Sequence, residues 1–388
     1  MQKMIKDLVS DYQADVLEYF HYFHSHAELS FMEYETSAYI REKLQQFGIP
    51  LMEGVRGTST VGILDSGVEG PVLAFRADID ALPIQEKAPV AYASCTAGVM
   101  HACGHDSHTA VLLALAKLMS EHKDLLRGKV KFIFQAAEEK IPGGAVALCE
   151  DGVMEDVDAI YAFHCSSMLP TGLIATNTGA GSACVGTYEI HIQGKSGHIC
   201  MPEETINPLP IACSVATTLN QVLANRVNPM ERALLSVTSL HCGEKDNIVA
   251  DKAVIGGNIR TFDDNLMDTL FDHVEQICGG ICSAYGTTYH LEKEIGYPVV
   301  WNYEKECKIV NQAADLLGYP REVSNTAMNG EDFSYYLKEK PGIIFYIGMG
   351  NPEKSDGWHP HHNGKFQLDE DGLQVALEME LAIYLLSI

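Results

Sequence analysis

The densest chemistry in this 388-residue chain is the run MHACGHDSHTA, residues 100–110, which sets His101, Cys103, His105 and His108 within eight positions. A thiolate and imidazoles together suit a first-row divalent metal. Two apart in an extended segment, Cys103 and His105 point to one side, with a helix expected just beyond them. A second piece is KVKFIFQAAEE, an apolar run that stops at Glu138 and Glu139. Neighbours on an extended chain face different ways, so one carboxylate can bind metal while the other carries a proton. His164 ends the next apolar run, DAIYAFHC, and WHPHHNGKF adds His359, His361 and His362. Taken singly, each piece also has a plain reading: a polar loop around a buried cysteine, a solvated acidic turn, a structural histidine. Together they supply one thiolate, three imidazoles and one or two carboxylates. A closed structural zinc site takes four ligands and needs no bystander acid, so the simpler arithmetic is two ions sharing Cys103.

Such groups need elements to position them. Glu35 to Phe47 reads as a helix stopped by Gly48, Val72 to Phe75 as a buried strand, and Thr109 to Met119 as a helix. Lys129 to Phe134 and Ala159 to Phe163 read as strands, with Ala145 to Glu150 helical between them. This alternation predicts an α/β sheet covered by helices, with the ligand-type residues at the C-terminal ends of its strands, where open sheets place their sites. NTGAGSA, residues 177–183, reads as a linker. After it come a strand at 188–192, a helix at 208–227, strands at 234–240 and 253–261, a helix at 264–285 capped by Asp263 or Asp264, and a strand at 287–292. The order βαββαβ is that of a ferredoxin-like unit. The expected organisation is a mixed-sheet catalytic domain in two parts, residues 1–182 and 295–388, interrupted by an inserted ferredoxin-like domain, residues 183–294.

Composition narrows the partners. With 27 Lys plus Arg against 52 Asp plus Glu the formal charge is −25, which repels phosphate backbones and anionic lipid headgroups. Neither nucleic acid nor a membrane is an expected partner, and an anionic substrate would need a local cation. The eleven cysteines are odd in number and scattered, no signal peptide or membrane-length apolar run stands out, and a reducing cytoplasm is the expected compartment.

Seven motifs in order resemble a known family: AFRADIDALPIQE (74–86), MHACGHDSHTA, the Glu-Glu after FQAA, AFH, GKSGH (194–198), GNIRTF (257–262) and NGEDFSYYL (329–337). They are similar to the di-metal amidohydrolases that include hippurate hydrolase, the plant auxin-conjugate hydrolases and bacterial N-acyl-amino-acid deacetylases. The CGHD motif with the later Glu-Glu is the specific part. The resemblance implies a di-metal catalytic domain carrying an inserted dimerisation or lid domain, hence a homodimer or higher homo-oligomer. It implies metal ligands Cys103, His105, Glu139, His164 and His362, with His361 an open alternative for the last. It makes Glu138 the general base that then protonates the leaving amine, and His198 a histidine that reaches a neighbouring subunit's site to hold the oxyanion. Asn247, in DNIVAD, and Arg260 would hold the substrate, Arg260 through its carboxylate. Three positions depart from the usual pattern: Ala136 replaces a proline, Pro202-Glu203 replaces Pro-His, and the final motif reads His361-His362-Asn363-Gly364. None removes a ligand or the base.

The implied activity is hydrolysis of the amide bond in small N-acyl amino acids, N-acetyl foremost, to a free amino acid and a carboxylic acid. A dipeptidase on the same scaffold and a metal-binding protein without catalysis are the alternatives, the latter opposed by retention of Glu138. Two divalent ions per subunit are expected, zinc first, with manganese, cobalt or nickel able to substitute. Asp78 and Asp80 are expected to orient the metal-site groups. Cys278 and Cys282 are expected in the core, and His21, His24 and His26 in structural roles.

Overall fold

Strand-length apolar runs separated by helical stretches do fold into a sheet with helices packed on it. The structure, a computed structural model, describes residues 1–355 and 357–388. The chain forms two compact units, one of Met1–Gly181, Val300–Thr326 and Asp332–Ile388, the other of Ser182–Val299 and Ala327–Glu331.

In chain order the first unit begins with α1 (Gln2–Ser10), α2 (Gln13–Ser25), α3 (Tyr34–Gln46), β1 (Thr60–Asp65), β2 (Val72–Asp78) and α4 (His105–Glu121). It continues through β3 (Lys129–Gln135), α5 (Gly144–Glu150), β4 (Ala159–Pro170), β5 (Ile174–Thr176) and β6 (Gly179–Ser182). The second unit holds β7 (Cys184–Gln193), β8 (Gly197–His198), α6 (Pro208–Leu219), α7 (Val222–Arg226), β9 (Ala233–Cys242), β10 (Ile248–Val249), β11 (Lys252–Thr261), α8 (Asp264–Ala284) and β12 (Tyr289–Ile295). The chain then returns through β13 (Val300–Asn302), α9 (Glu304–Leu317), β14 (Arg321–Val323), α10 (Ser334–Glu339), β15 (Gly342–Gly350) and α11 (Asp371–Ser387).

The main sheet runs β1-β3-β2-β4-β15-β5-β14. Its centre is parallel, β3 with β2, β2 with β4 and β4 with β15, while β1 and β5 enter antiparallel to β3 and β15. Strands covered on both faces run mainly apolar, as residues 159–163 of β4 and 342–347 of β15 do, while β2 and β3 interrupt the pattern with Arg76 and Lys131, each buried and paired with a carboxylate. Helix α4 is buried on every side and packs on α2, α3 and α11. It is the central helix of the larger core, which also takes Phe23, Phe75, Phe132 and Tyr384.

In the second unit the sheet order is β12-β7-β11-β9, all antiparallel. Tyr188, Ile190 and Ile192 point to the face where α6 and α8 lie, and Thr187, Glu189 and His191 alternate to the other. Its long elements follow the order βαββαβ, so the α/β class with a ferredoxin-like unit is as expected. Cys278 and Cys282 are core residues of α8, and Asp263, not Asp264, caps it by accepting from the Asn265 backbone N–H.

Four local expectations change. Helix α4 begins at His105, four residues early, so His105 and His108 are helical rather than in an extended segment. The polar start HDSH hides the helix because its apolar period begins only at Ala110. Strand β4 runs six residues beyond His164, which therefore sits mid-strand opposite Tyr346. Part of the presumed linker is β6, paired with β13. The helix over 208–227 breaks into α6 and α7 around Asn220. All eleven cysteines are free, and no helix among the described residues is long and apolar enough to cross a membrane.

Candidate active site

The long loop after β2 enters α4 through one turn. Gly104 takes the left-handed conformation at φ 86°, and a Cβ there would strike the Cys165 sulfur. That turn stops the loop carrying Cys103 and begins α4 at His105, with Asp106 in the first helical turn where the helix end favours negative charge. The Ser107 hydroxyl donates to the Gly104 carbonyl at 2.6 Å and closes the turn.

Three triads of ligand-type atoms, each within 4.8 Å of one another, overlap here: Cys103 with His105 and His164, Cys103 with Glu139 and His362, and His105 with Glu138 and Glu139. All five metal ligands expected from the sequence, and the expected base, therefore lie in one place. Cys103 Sγ is 3.6 Å from His164 Nε2. His105 Nε2 and His362 Nε2 lie 3.8 and 3.1 Å from Glu139 Oε1. Cys103, His105 and Glu139 each belong to two of these triads, so the six residues form one connected donor set.

The hydrogen bonds set which ring nitrogens are available. His105 Nδ1 donates to the Asp80 carbonyl at 3.0 Å and lies 3.2 Å from its carboxylate, leaving the Nε2 lone pair toward Glu139. His164 Nδ1 donates to the Cys165 carbonyl at 2.7 Å, leaving Nε2 toward Cys103. These partners fix the tautomer as outer hydrogen bonds do around metal-ligating histidines. His108 is excluded as a ligand: its Nδ1 donates to Asp78 at 2.6 Å and its Nε2 accepts from the Cys165 N–H at 2.9 Å. His361 uses Nδ1 on the Cys103 carbonyl at 3.2 Å and packs against the His164 and Phe366 rings. His362, in contrast, completes a triad with Cys103 and Glu139. The His359 carbonyl accepts from the Ser167 hydroxyl at 2.7 Å.

Divalent cations fit this donor set. His105 Nε2 is sealed from solvent with no hydrogen-bond partner among the described residues, and buried Glu139 Oε1 faces the imidazole nitrogens of His105 and His362, at 3.8 and 3.1 Å. An orphaned buried nitrogen costs about 1–3 kcal/mol, and a cation held between it and the carboxylate satisfies it. The local charge points the same way. Burial alone would lower His105, yet the carboxylates of Asp78, Asp80 and Glu139 outweigh it and push its pKa up to about 10. Burial, then the Glu139 and Glu138 carboxylates, holds the Cys103 thiol well above its ordinary value. This is an anionic pocket gathering protons that positive ions would displace.

Asp78 and Asp80, expected to orient the site groups, do bond to them, while the residues that complete the support were not legible in the sequence. Asp80 accepts the consecutive backbone N–H groups of Glu138 and Glu139 at 3.1 and 3.0 Å and the Ser30 hydroxyl at 2.6 Å. Glu33, fully buried, accepts the Ala137 and Phe31 N–H groups at 2.9 Å and the Thr58 hydroxyl. Phe31, Ala137 and His362 have positive φ at 65°, 57° and 61°. Three non-glycine residues in that region around one centre mark backbone strained in favour of the site. Behind it, buried Arg76 donates to Asp78 at 2.6 Å, Gln135 at 2.9 Å and Asp332 at 2.8 Å. Burial would raise the Asp78 pKa, but Arg76, then His105 and His108, hold it well below the carboxylate range. His24 bridges Asp106 and Glu86 at 2.6 and 3.0 Å, a structural role as expected. Arg76 and Asp332 belong to motifs with no individual signal, while Ser30 and Glu33 sit in an unremarked loop, ELSFME.

His198, Asn247 and Arg260 belong to the second unit. His198 in β8 faces Ile248 of β10 in register, and the next N–H, of Ile199, donates to the Asn247 carbonyl, so His198 and Asn247 share one ribbon. Its Nδ1 accepts the Cys200 N–H at 3.1 Å, which leaves the proton on Nε2. Arg260, on β11, donates through Nε to Asn258 at 2.7 Å and through one terminal nitrogen to the Met328 carbonyl at 3.0 Å.

Asp80→Asn replaces an acceptor of two N–H groups by one that also donates. Its affinity for divalent ions should fall about 10–100-fold, read by competition with a chromogenic chelator, with secondary structure intact. Unchanged affinity would remove Asp80 from this role.

Known proteins are similar to this one over most of the chain. The description "Peptidase family M20/M25/M40" matches residues 74–384. An N-acyl-L-amino acid amidohydrolase of Geobacillus stearothermophilus is 40% identical over 301 residues, covering 78% of this chain and 81% of its own. Thermostable carboxypeptidase 2 of Saccharolobus solfataricus is 38% identical over 357 residues, covering 91% and 90%. Among solved structures, the YXEP protein of Bacillus subtilis, described as a dinuclear metal binding peptidase, superposes with a TM-score of 0.84 at 32% identity, covering 98% of this chain and all of its own. With a family match running from β2 into α11 and relatives at this identity, the chain belongs to peptidase family M20/M25/M40.

Proposed function

We propose that the chain is a metal-dependent amidohydrolase that splits small N-acyl amino acids into a carboxylic acid and a free amino acid. The observation that carries this is the position of Glu138. It is a buried carboxyl grouped with His105 and Glu139 but one acid more than the two Cys103-centred triads require. A spare acid beside a cation site has the properties of a proton carrier.

We assign Cys103, His105, Glu139, His164 and His362 as ligands of two divalent ions, zinc first and manganese, cobalt or nickel as alternatives. The bound ions would supply Lewis acidity, polarising the amide carbonyl and acidifying water. Glu138 takes the proton of the attacking water as its oxygen bonds to the acyl carbon. Asp80 fixes the backbone on which Glu138 sits. As the C–N bond breaks, Glu138 returns the proton to the nitrogen, and the amine leaves neutral. The overall change is one amide and one water to one acid and one amine.

His198 donates a hydrogen bond to the carbonyl oxygen as it becomes negative. Support comes from its ring: with Nδ1 engaged by Cys200, Nε2–H is the donor it can offer. Asn247 on the same ribbon and Arg260 hold the substrate, the guanidinium being suited to a carboxylate. The inserted unit is read as a dimerisation and lid domain, with residues 183–294 as its extent. Its ten-residue edge strand β9 exposes a row of unpaired backbone groups and Leu234, the kind of edge that pairs with a second copy. On this reading the partner subunit completes the site with its own His198. The chain is assigned to the cytoplasm, with no nucleic acid or membrane partner.

The carboxypeptidase name of one relative favours a second reading, cleavage of peptides on the same scaffold. N-acetyl amino acids and dipeptides, assayed after reloading with each metal, separate the two. Preferential cleavage of the acetylated series is the expected result, and turnover of free-amino dipeptides alone would favour the peptidase. Glu138→Gln should keep its metal and lose about 10²–10⁴-fold in kcat; near-normal turnover would show that Glu138 is not the base. Mixing inactive Glu138→Gln with inactive His198→Ala subunits should restore activity in hybrid dimers, whereas hybrids that stay inactive would contradict a shared site.

A further inference from the structure

Outside the described centre, a second gathering of metal-ligating groups lies on the inserted unit. Strands β7 and β12 run antiparallel with His191 opposite His290 and Glu189 opposite Glu292. Residues two apart share a face, so these four side chains stand at the corners of one square on a sheet surface. That face is the one away from α6 and α8, and it is open to solvent. His191 Nε2 lies 2.9 Å from Glu189 Oε1 and 3.7 Å from Glu292 Oε1, and the same Glu292 oxygen is 3.6 Å from His290 Nε2. The two imidazole rings are 6.1 Å apart, tilted by 31°.

We propose that Glu189, His191, His290 and Glu292 form a site for one divalent first-row metal ion, of the zinc, nickel or copper class, that clamps β7 to β12. Four ligands at Zn–N and Zn–O lengths of about 2.0–2.2 Å in a tetrahedron lie about 3.3–3.5 Å from one another. The three observed separations bracket that spacing, so small side-chain rotations close the shell. Two imidazoles with two carboxylates is a donor set for such ions rather than for calcium or magnesium, which take oxygen.

Two further observations point to a cation. His191 Nε2, the atom at the hub, is shut off from solvent, and the groups within its reach are the two glutamate oxygens, at 2.9 and 3.7 Å. The acids also face one another across the strand pair, and Lys252, the lysine of β11 on this face, stands one row beyond them in register with Gln193. Glu189 and Glu292 are directly opposed like charges, Glu294 stands on the same face opposite Thr187, and the β11 residues in register with these rows are Val254, Gly256 and Asn258. Opposed like charges destabilise a strand pair, and a bound cation reverses the sign of that interaction. The ion would hold the last strand of the βαββαβ unit to its first, the pairing that closes the sheet.

The test counts ions rather than turnover, so its outcome is independent of the proposed hydrolysis. Wild-type protein, His191→Ala, His290→Ala and Glu292→Gln are dialysed against micromolar Zn2+ and the bound metal is measured. Wild type should hold one ion per subunit more than either histidine variant, with Glu292→Gln weakened, and Glu138→Gln should retain the extra ion. With Cu2+, electron paramagnetic resonance should show coupling to two imidazole nitrogens, lost in each histidine variant, while hydrolysis stays unchanged. Equal metal content in wild type and both histidine variants, or a copper spectrum they do not alter, would overturn the site and leave only a histidine–glutamate ion pair.

Discussion

One buried carboxylate ties the site together. Asp80 receives the N–H groups of both Glu138 and Glu139, the Nδ1 of His105 and the hydroxyl of Ser30. Four donors from three stretches of chain end on two oxygens. Burial would raise the Asp80 pKa, but these donors, His105 first, hold it below its ordinary value, so it stays an acceptor. The arrangement sets the direction of the Glu-Glu pair, since both N–H vectors point at the same group. It also sets the tautomer of His105. A carboxylate one methylene longer or an amide could not meet the same four partners.

Around that hub the fold supplies rigidity in layers. Arg76, buried among Asp78, Gln135 and Asp332, joins β2 to β3 and to the segment leading into α10. A buried guanidinium with three partners is stable only while all three are present. Asp78 passes the constraint to His108, and His108 passes it to the backbone of Cys165, beside His164. Glu33 holds the strained Ala137 from the opposite side. The strain at Phe31, Ala137 and His362 is tolerated because these bonds over-determine the backbone.

What could be read beforehand followed from signal strength. Thiol, imidazole and acid side chains at short spacing announce themselves, so a donor cluster of Cys103, His105, Glu138, Glu139 and His164 with one of the later histidines was legible from residue type, while the choice of His362 came with the family resemblance. The βαββαβ order was legible because its strands alternate and α8 has a clear cap. Ser30, Glu33 and Arg76 were not, because a single acid or arginine acquires its role only when the chain brings its partners near. The start of α4 was misplaced since His105 to His108 are polar yet fully buried, held by Gly104 and by hydrogen bonds rather than by an apolar face. The row of Glu189, His191, His290 and Glu292 needs the strand register before it can be seen at all.

The central claim is that one sulfur and its neighbours hold a pair of ions beside a spare acid. X-ray absorption at the edge of the ion that copurifies measures this directly. The account predicts a sulfur shell, at about 2.3 Å if the ion is zinc, together with metal–metal scattering at about 3.5–4 Å, both lost in Cys103→Ala. A first shell of nitrogen and oxygen alone, unaltered by removing Cys103, would contradict it.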